Sequence, residues 1–312
     1  MISLRLLFKN WNDFWFSDRS PLPMAVCRVL IGFLVLLVGF QLLPDLLVWF
    51  GERGILSLQT AKQIAAKPQL NVLSVIPQGD GWVMLFYAVF MVFAFMLTVG
   101  LWTRFSAFMV WVGLLSFYNR NPMLFNNAGD NFLRIVVFFL IFSDAGSMLS
   151  LDCLLKKNGE KEDSTGKSFW VQRLLQLQLV AFYLVDFCWK WQNAEWASGH
   201  AAYLVSRVDA FWLFPVPPLF DHIWMIRLFT WGVMVFELLF VTLVWVDEFR
   251  YVILGAGVLF HLLCLYTVNL PLLNLVLLAA YLTFIDPKSI QEGIQRIRLL
   301  AVRRPSATAQ DK

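Results

Sequence analysis

The feature that most constrains this chain is a series of apolar segments, each approaching the ~20 residues that an α-helix needs to cross a bilayer. They run from about Met24 to Leu43, Trp82 to Gly100, Phe105 to Tyr118, Gly129 to Leu149, Phe169 to Trp189, Ile223 to Val246, Tyr251 to Val268 and Leu270 to Ile285. Composition supports the same reading. Of 312 residues, 59% are hydrophobic and only 15% charged, whereas charged residues make up about a quarter of an ordinary soluble protein. The mean hydropathy is +0.67. Thirty Phe and 14 Trp suit lipid-facing packing and interfacial belts.

The expected fold is therefore an all-α, polytopic transmembrane bundle of about eight spans occupying 21–287. An amphipathic lead-in over 1–20 precedes it, with Leu4, Leu7, Phe8, Trp11 and Trp15 at helical spacing, and a basic tail over 288–312 follows. Both flanking segments are expected to lie at the lipid surface. With the N-terminus inside, the inner segments collect Arg5, Lys9, Arg19, Arg104, Lys156, Lys157, Lys161, Lys167, Arg250, Lys288, Arg296, Arg298, Arg303, Arg304 and Lys312. The outer segments collect only Arg53, Lys62, Lys67, Arg120, Lys190 and Arg207. This asymmetry puts both termini in the cytoplasm and the long connections 44–81, 119–128 and 190–222 outside. The expected location is the inner membrane of a bacterial-type cell. The net charge of +4 is an orientation signal; the basic residues do not interleave with aromatics along a polar face, so nucleic acid is excluded as a partner.

Other classes of chemistry lack their residues. The four cysteines form no C-x-x-C pair, with Cys27, Cys188 and Cys264 in or beside apolar runs and Cys153 at the head of the charged linker, so buried structural thiols are expected. His200, His222 and His261 have no metal-site spacing, and phosphate-binding glycine loops are missing. The first apolar run does not end at a small-residue cleavage site, so no secretory signal is expected. Internal repeats are not evident, which disfavours transport.

Ionisable residues inside spans cost ~2.5 to 3.5 kcal/mol each at a helix centre and are functional candidates by default. Asp130, Arg134, Asp186, Lys190, Arg227 and His261 fall in the outer half, Glu237 nearer mid-span, and Arg28 nearer the inner side, where it can snorkel to phosphates. Asp130 and Arg134 are four residues apart, as are Asp186 and Lys190, so each pair is also readable as an intrahelical ion pair. For Lys190, an apolar pocket near Trp189, Trp191 and Trp196 favours a neutral amine able to act as a base, whereas a close Asp186 carboxylate favours the ammonium. Both readings stay open. His261, in hydrocarbon surroundings, is a proton relay, a cofactor ligand or an interhelical hydrogen-bonding group.

The segment Asn126 to Asp152 (NNAGDNFLRIVVFFLIFSDAGSMLSLD) and the stretch Lys190 to Gly199 (KWQNAEWASG) resemble the HTTM family. This membrane domain is shared with vitamin K-dependent γ-carboxylases. Arg28, the Gly100 to Arg104 turn, Glu237, and the His261 helix followed by Phe284-Ile285-Asp286-Pro287 extend the resemblance over roughly Pro21 to Pro287. The resemblance implies a bundle whose outer side handles a reduced quinone. In the carboxylases a lysine before a Trp-x-x-Gly element deprotonates vitamin K hydroquinone, and Lys190 is the matching position. Two departures stand against protein carboxylation. Ala128 follows Asn126-Asn127 where the carboxylases have a His, and the chain stops at Lys312 without their lumenal domain.

The first functional expectation is quinol-linked oxidation or modification chemistry. Lys190 is its base, Asp186 the electrostatic modulator, and His261 and Glu237 are proton handlers; Trp191, Trp196, Asn126, Asn127, Asp130 and Arg134 contact the ligand. No metal or nucleotide cofactor is expected. The alternative is a non-catalytic partner that helps mature a secreted peptide, as in SdpB-like proteins, or a scaffold for a periplasmic enzyme. It would dock through Phe211, Trp212, Phe214 and Phe220 among Pro215, Pro217 and Pro218.

Overall fold

A computed structural model describes residues 4–64, 70–77, 79–122, 124–125, 127–156, 169–208, 214–215 and 217–302. Every regular element among them is helical. The first half contains α1 (Leu4–Phe16), α2 (Leu22–Leu42), α3 (Leu46–Phe50), α4 (Leu58–Ile64), α5 (Asp80–Val99), α6 (Thr103–Arg120), α7 (Ala128–Phe142) and α8 (Leu151–Leu155). The second half contains α9 (Trp170–Gln192), α10 (Ala194–Ala197), α11 (Ala201–Val205), α12 (Ile223–Leu243), α13 (Asp247–Thr267), α14 (Pro271–Tyr281) and α15 (Pro287–Val302). The charged linker over 157–168 and the tail beyond 302 lie outside the described residues.

Each of the eight expected spans is occupied by a helix, but not all of them are long enough to cross alone. Leu22–Phe50, Asp80–Val99, Trp170–Gln192, Ile223–Leu243 and Asp247–Thr267 meet the requirements of length and apolarity. Pro271–Phe284 and Pro287–Arg296, bent by 113° at their junction, make a sixth candidate as a pair. The expected span from Gly129 to Leu149 is shorter than its sequence indicates, because α7 stops at Phe142. Ser143 is extended and its hydroxyl donates to Leu140 O at 3.0 Å, after which a 3-10 turn covers Ala145–Ser147. Fifteen residues rise only about 22 Å, short of the ~30 Å hydrocarbon core.

Consecutive long helices pack as neighbours: α2 on α5, α5 on α6, α6 on α7, α9 on α12, α12 on α13 and α13 on α14, with α14 closing against α7 and α2. At the α7–α14 contact, a Cβ on Gly129 would stand 2.7 Å from Leu273 N, so only glycine permits this approach. The outward faces remain apolar, with Phe33, Phe40, Leu85, Phe95, Val185, Leu228, Val252 and Leu259 all exposed. Soluble monomers rarely show contiguous apolar surface on this scale, whereas a bilayer covers it.

Polar residues at the Arg28 end of the helices knit the bundle together. Arg28 was expected to snorkel to phosphates; instead it is 0% exposed. Its guanidinium donates to Leu97 O at 2.6 Å, Thr98 O at 2.9 Å and Leu149 O at 2.6 Å. The carbonyls at the end of α5 have no intrahelical donors, which makes them better partners than a distant headgroup. Gly100 follows with φ +74, and a Cβ there would meet Arg28 Nη1 at 2.6 Å. Asp152 accepts from Trp102 N at 2.8 Å and from Thr103 N at 3.0 Å, capping α6 from a distant part of the chain, while Arg104 pairs with Asp144 at 2.7 Å. Gln172 and Gln176 both donate to Thr283 O, the first at 2.6 Å, where α14 loosens into a 3-10 turn.

Candidate functional site

Toward the other end of α9, a cavity of about 510 Å³ opens between α9, α12, α13 and α14. Its walls are mostly aromatic and aliphatic, with Phe182, Phe220, Phe229, Phe260 and Leu277 among them. Two polar groupings interrupt this surface.

The first is built on Lys190, in the last turn of α9 and 8% exposed. Its ammonium donates to Asp186 Oδ2 at 2.8 Å, one helical turn earlier, and forms a closer ion pair with Glu237 of α12. The indole of Trp196 lies over the same nitrogen, with its ring centroid at 4.7 Å. Glu237 is 1% exposed, and its second oxygen, Oε2, is buried without a hydrogen-bond partner. One ammonium thus faces two carboxylates, leaving an unspent acceptor on a residue that lines the cavity.

The second grouping is a directed chain of hydrogen bonds. Asn274 Nδ2 donates to Leu270 O at 2.9 Å, so its Oδ1 is the acceptor toward His261 Nδ1 at 2.8 Å. His261 therefore carries its proton on Nδ1, and Nε2 accepts from the Tyr183 hydroxyl at 2.6 Å. That hydroxyl has one hydrogen, so Tyr281 is the donor in the 2.6 Å Tyr281–Tyr183 contact. Among the alternatives open for His261, the structure realises an interhelical hydrogen bond, linking α13 to α9 and α14.

Lys190, Asp186, Glu237, His261 and Trp196 are brought together on one cavity; Trp191, Asn127, Asp130 and Arg134 are not. Trp191 points outward, 67% exposed, and stacks on Phe187. The helical period separates it from Lys190 by about 100°. Asn127 caps α7, accepting from Asp130 N at 2.9 Å and donating to the Asp130 carboxylate. Both line a separate cavity of about 340 Å³ with Gln41, Asp45 and Trp49. Arg134 does not pair with Asp130: it bonds Asn131 and lies 3.6 Å over the Tyr118 ring, because the cap already engages the carboxylate. Asn126 lies outside the described residues. Of the thiols expected to be buried, Cys27 is buried and Cys264 half-buried on the main cavity, but Cys188 is exposed on the outward side of α9.

Sequence reasoning missed Tyr183, Tyr281 and Asn274. Tyr183 was detectable, since 183, 186 and 190 follow the i, i+3, i+7 pattern of one helix face. Nothing local connects Asn274 to His261.

The described residues of the 193–222 connection pack on α9 and α12. Asn193 accepts from Glu195 N at 3.0 Å, Thr230 Oγ1 accepts from Ala202 N at 3.0 Å, and Arg207 pairs with Asp221. That hydrogen bond raises Arg207 above the usual arginine range. Phe220, expected on a docking surface, is buried against Phe229, while Phe214 stacks on Tyr266. Phe211 and Trp212 lie outside the described residues.

A family model described as the HTTM domain matches residues 16–288. Neither the curated proteins nor the solved structures contain a significant match. The match spans the bundle and both polar groupings of the cavity, and the chain is a multi-pass membrane protein belonging to the HTTM domain family.

Proposed function

We propose that the cavity binds an apolar, hydroxyl-bearing molecule of the reduced-quinone class taken from the bilayer, and that the Glu237–Lys190 pair removes its hydroxyl proton. The observation that carries this reading is Glu237 Oε2, a buried acceptor without a partner on a residue that lines a mostly apolar cavity. A phenolic hydroxyl matches that acceptor, and the aromatic walls match a ring with a hydrocarbon tail. A reduced quinone, when bound, would supply two electrons and two protons, which dissolved oxygen would take up as hydrogen peroxide, the use of oxygen being by analogy with the carboxylases.

The work of the protein is positioning and proton handling. Glu237 Oε2 takes the hydroxyl proton, which neutralises the carboxylate and loosens its hold on Lys190. The ammonium then turns toward the charge left on the ligand oxygen, in a site of low dielectric where such stabilisation is strong. Asp186 keeps Lys190 oriented, and Trp196 covers its outer side. The base is thus the Lys190–Glu237 pair rather than a lone neutral lysine. By the distribution of loop charges, the cavity faces outward.

Oxidation of added menaquinol by the protein reconstituted in liposomes tests this reading. Wild type should exceed protein-free liposomes, with Lys190→Arg and Glu237→Gln at background while still folded. Arginine keeps the charge, but its bulky planar fork cannot turn from Glu237 to the ligand oxygen as the compact ammonium does. Unchanged rates in both variants would contradict the proposal.

A further inference from the structure

A second concentration of charge lies at the opposite end of α9, about 25 Å from Lys190 along the helix, and the proposed chemistry does not use it. Arg173, in the first turn of α9, has its guanidinium carbon 4.4 Å from the Phe14 ring centroid and 4.6 Å from that of Phe169. Arg19, between α1 and α2, lies 4.6 Å from the same Phe169 centroid. Arg250, from the first turn of α13, donates to Val244 O at 3.2 Å, next in the chain to Trp245, whose ring centroid lies 5.9 Å from the Arg173 guanidinium. Arg19 and Arg173 thus share an aromatic floor, which extends under Arg173 to Trp245, with the Arg250 guanidinium as a third charge nearby.

The described residues leave most of this charge unbalanced. Arg173 spends its hydrogen bonds on neutral acceptors, Phe14 O at 3.1 Å and Gln176 Oε1 at 2.9 Å. Arg19 has no ion pair among the described residues. Asp144 shares a small recess with Arg19 but is engaged by Arg104. Among the described residues, the only carboxylate paired with the cluster is Asp247, on Arg250. Close to Arg19 in the chain, Trp15 Nε1 and Ser17 Oγ are buried without partners, adding two unused hydrogen-bonding groups.

Depth identifies the anion. The cluster adjoins α1, whose Leu6, Phe8, Trp11 and Phe16 are exposed while Arg5, Lys9 and Asp13 interrupt them, the pattern of a helix lying in the headgroup layer. Basic pockets between helix ends at this level hold phospholipid headgroups. We propose that Arg19, Arg173 and Arg250, with Trp15 and Ser17 beside them, form a binding site for the phosphate of an anionic phospholipid, which fastens α1 to the ends of α9 and α13.

The test is native mass spectrometry of the full chain in detergent, titrated with phosphatidylglycerol or with phosphatidylcholine of the same acyl chains. Wild type should retain phosphatidylglycerol preferentially, and Arg19→Gln should weaken that retention about fivefold, as expected for one ~1 kcal/mol basic contact. Phosphatidylcholine retention should not change. Arg19 is exposed and makes only a ring contact, so the substitution leaves the fold intact; Arg250→Gln provides a second reading. Arg5→Gln, a basic residue of α1 outside the cluster, should have no such effect. Equal retention of the two lipids, or equal effects of Arg5→Gln and Arg19→Gln, would overturn the proposal. Displacement of phosphatidylglycerol by millimolar inorganic phosphate would do so as well, by assigning the site to a soluble anion.

Discussion

Glu237 of α12 forms an ion pair with Lys190 of α9 inside the bundle, so that two of its least lipid-compatible groups neutralise each other across a helix interface. Removing one partner of a buried pair strands the other charge and costs about 3–5 kcal/mol. Lys190→Met should lower unfolding stability on that scale and Glu237→Leu by less, because Asp186 still holds the ammonium, with the double variant losing far less than their sum. A double-mutant cycle in detergent checks this, and additive losses would show the pair to be uncoupled.

The second grouping yields a spectroscopic expectation. Because Asn274 is fixed by Leu270 O, His261 should be the Nδ1–H tautomer, with Nε2 as a bare acceptor from Tyr183. In the ¹⁵N spectrum of histidine-labelled protein, its Nδ1 should resonate in the protonated range and Nε2 in the unprotonated range. Tyr183→Phe removes the donor to Nε2 and should shift that resonance while leaving Nδ1 protonated. The opposite tautomer would break the directed chain.

These two groupings show how far the sequence carries. The helical bundle was legible because apolar run length is a local property, and Lys190 with Asp186 was legible because i, i+4 residues share a face. Glu237 and His261 were noticed as lone charges or rings in hydrocarbon, yet their partners were not, since the pairing Lys190–Glu237 spans 47 residues and Tyr183–His261 spans 78. Trp191 was misassigned by adjacency: neighbouring residues on a helix face different ways. Arg28 was misread because an unbonded carbonyl at a helix end is invisible until the helices are packed.

Arg28 should be intolerant of conservative change. Lysine cannot reach three carbonyls on two segments, so Arg28→Lys should cost about 3 kcal/mol. Gly100→Ala should be comparably disruptive, since it combines a left-handed backbone with a collision at the guanidinium. Thermal unfolding in detergent measures both, and wild-type midpoints would contradict the clasp.

The two tryptophans beside Lys190 should separate cleanly. Trp196→Ala removes the ring over the ammonium and should weaken ligand retention, whereas Trp191→Ala changes only an outward surface and should leave it unchanged. Retention of an added quinol analogue after gel filtration distinguishes them; equal losses would place the ligand elsewhere.

The most direct measurement is mass spectrometry of small molecules that copurify with the folded protein from native membranes, comparing wild type with Glu237→Gln. Glutamine keeps the size and polarity of the side chain but gives up the carboxylate acceptor. The account predicts a quinone-class molecule enriched with wild type and depleted at least severalfold in the variant. Equal amounts in both samples, or bulk phospholipid alone with wild type, would contradict the assignment of Glu237 Oε2 as the acceptor that holds the ligand.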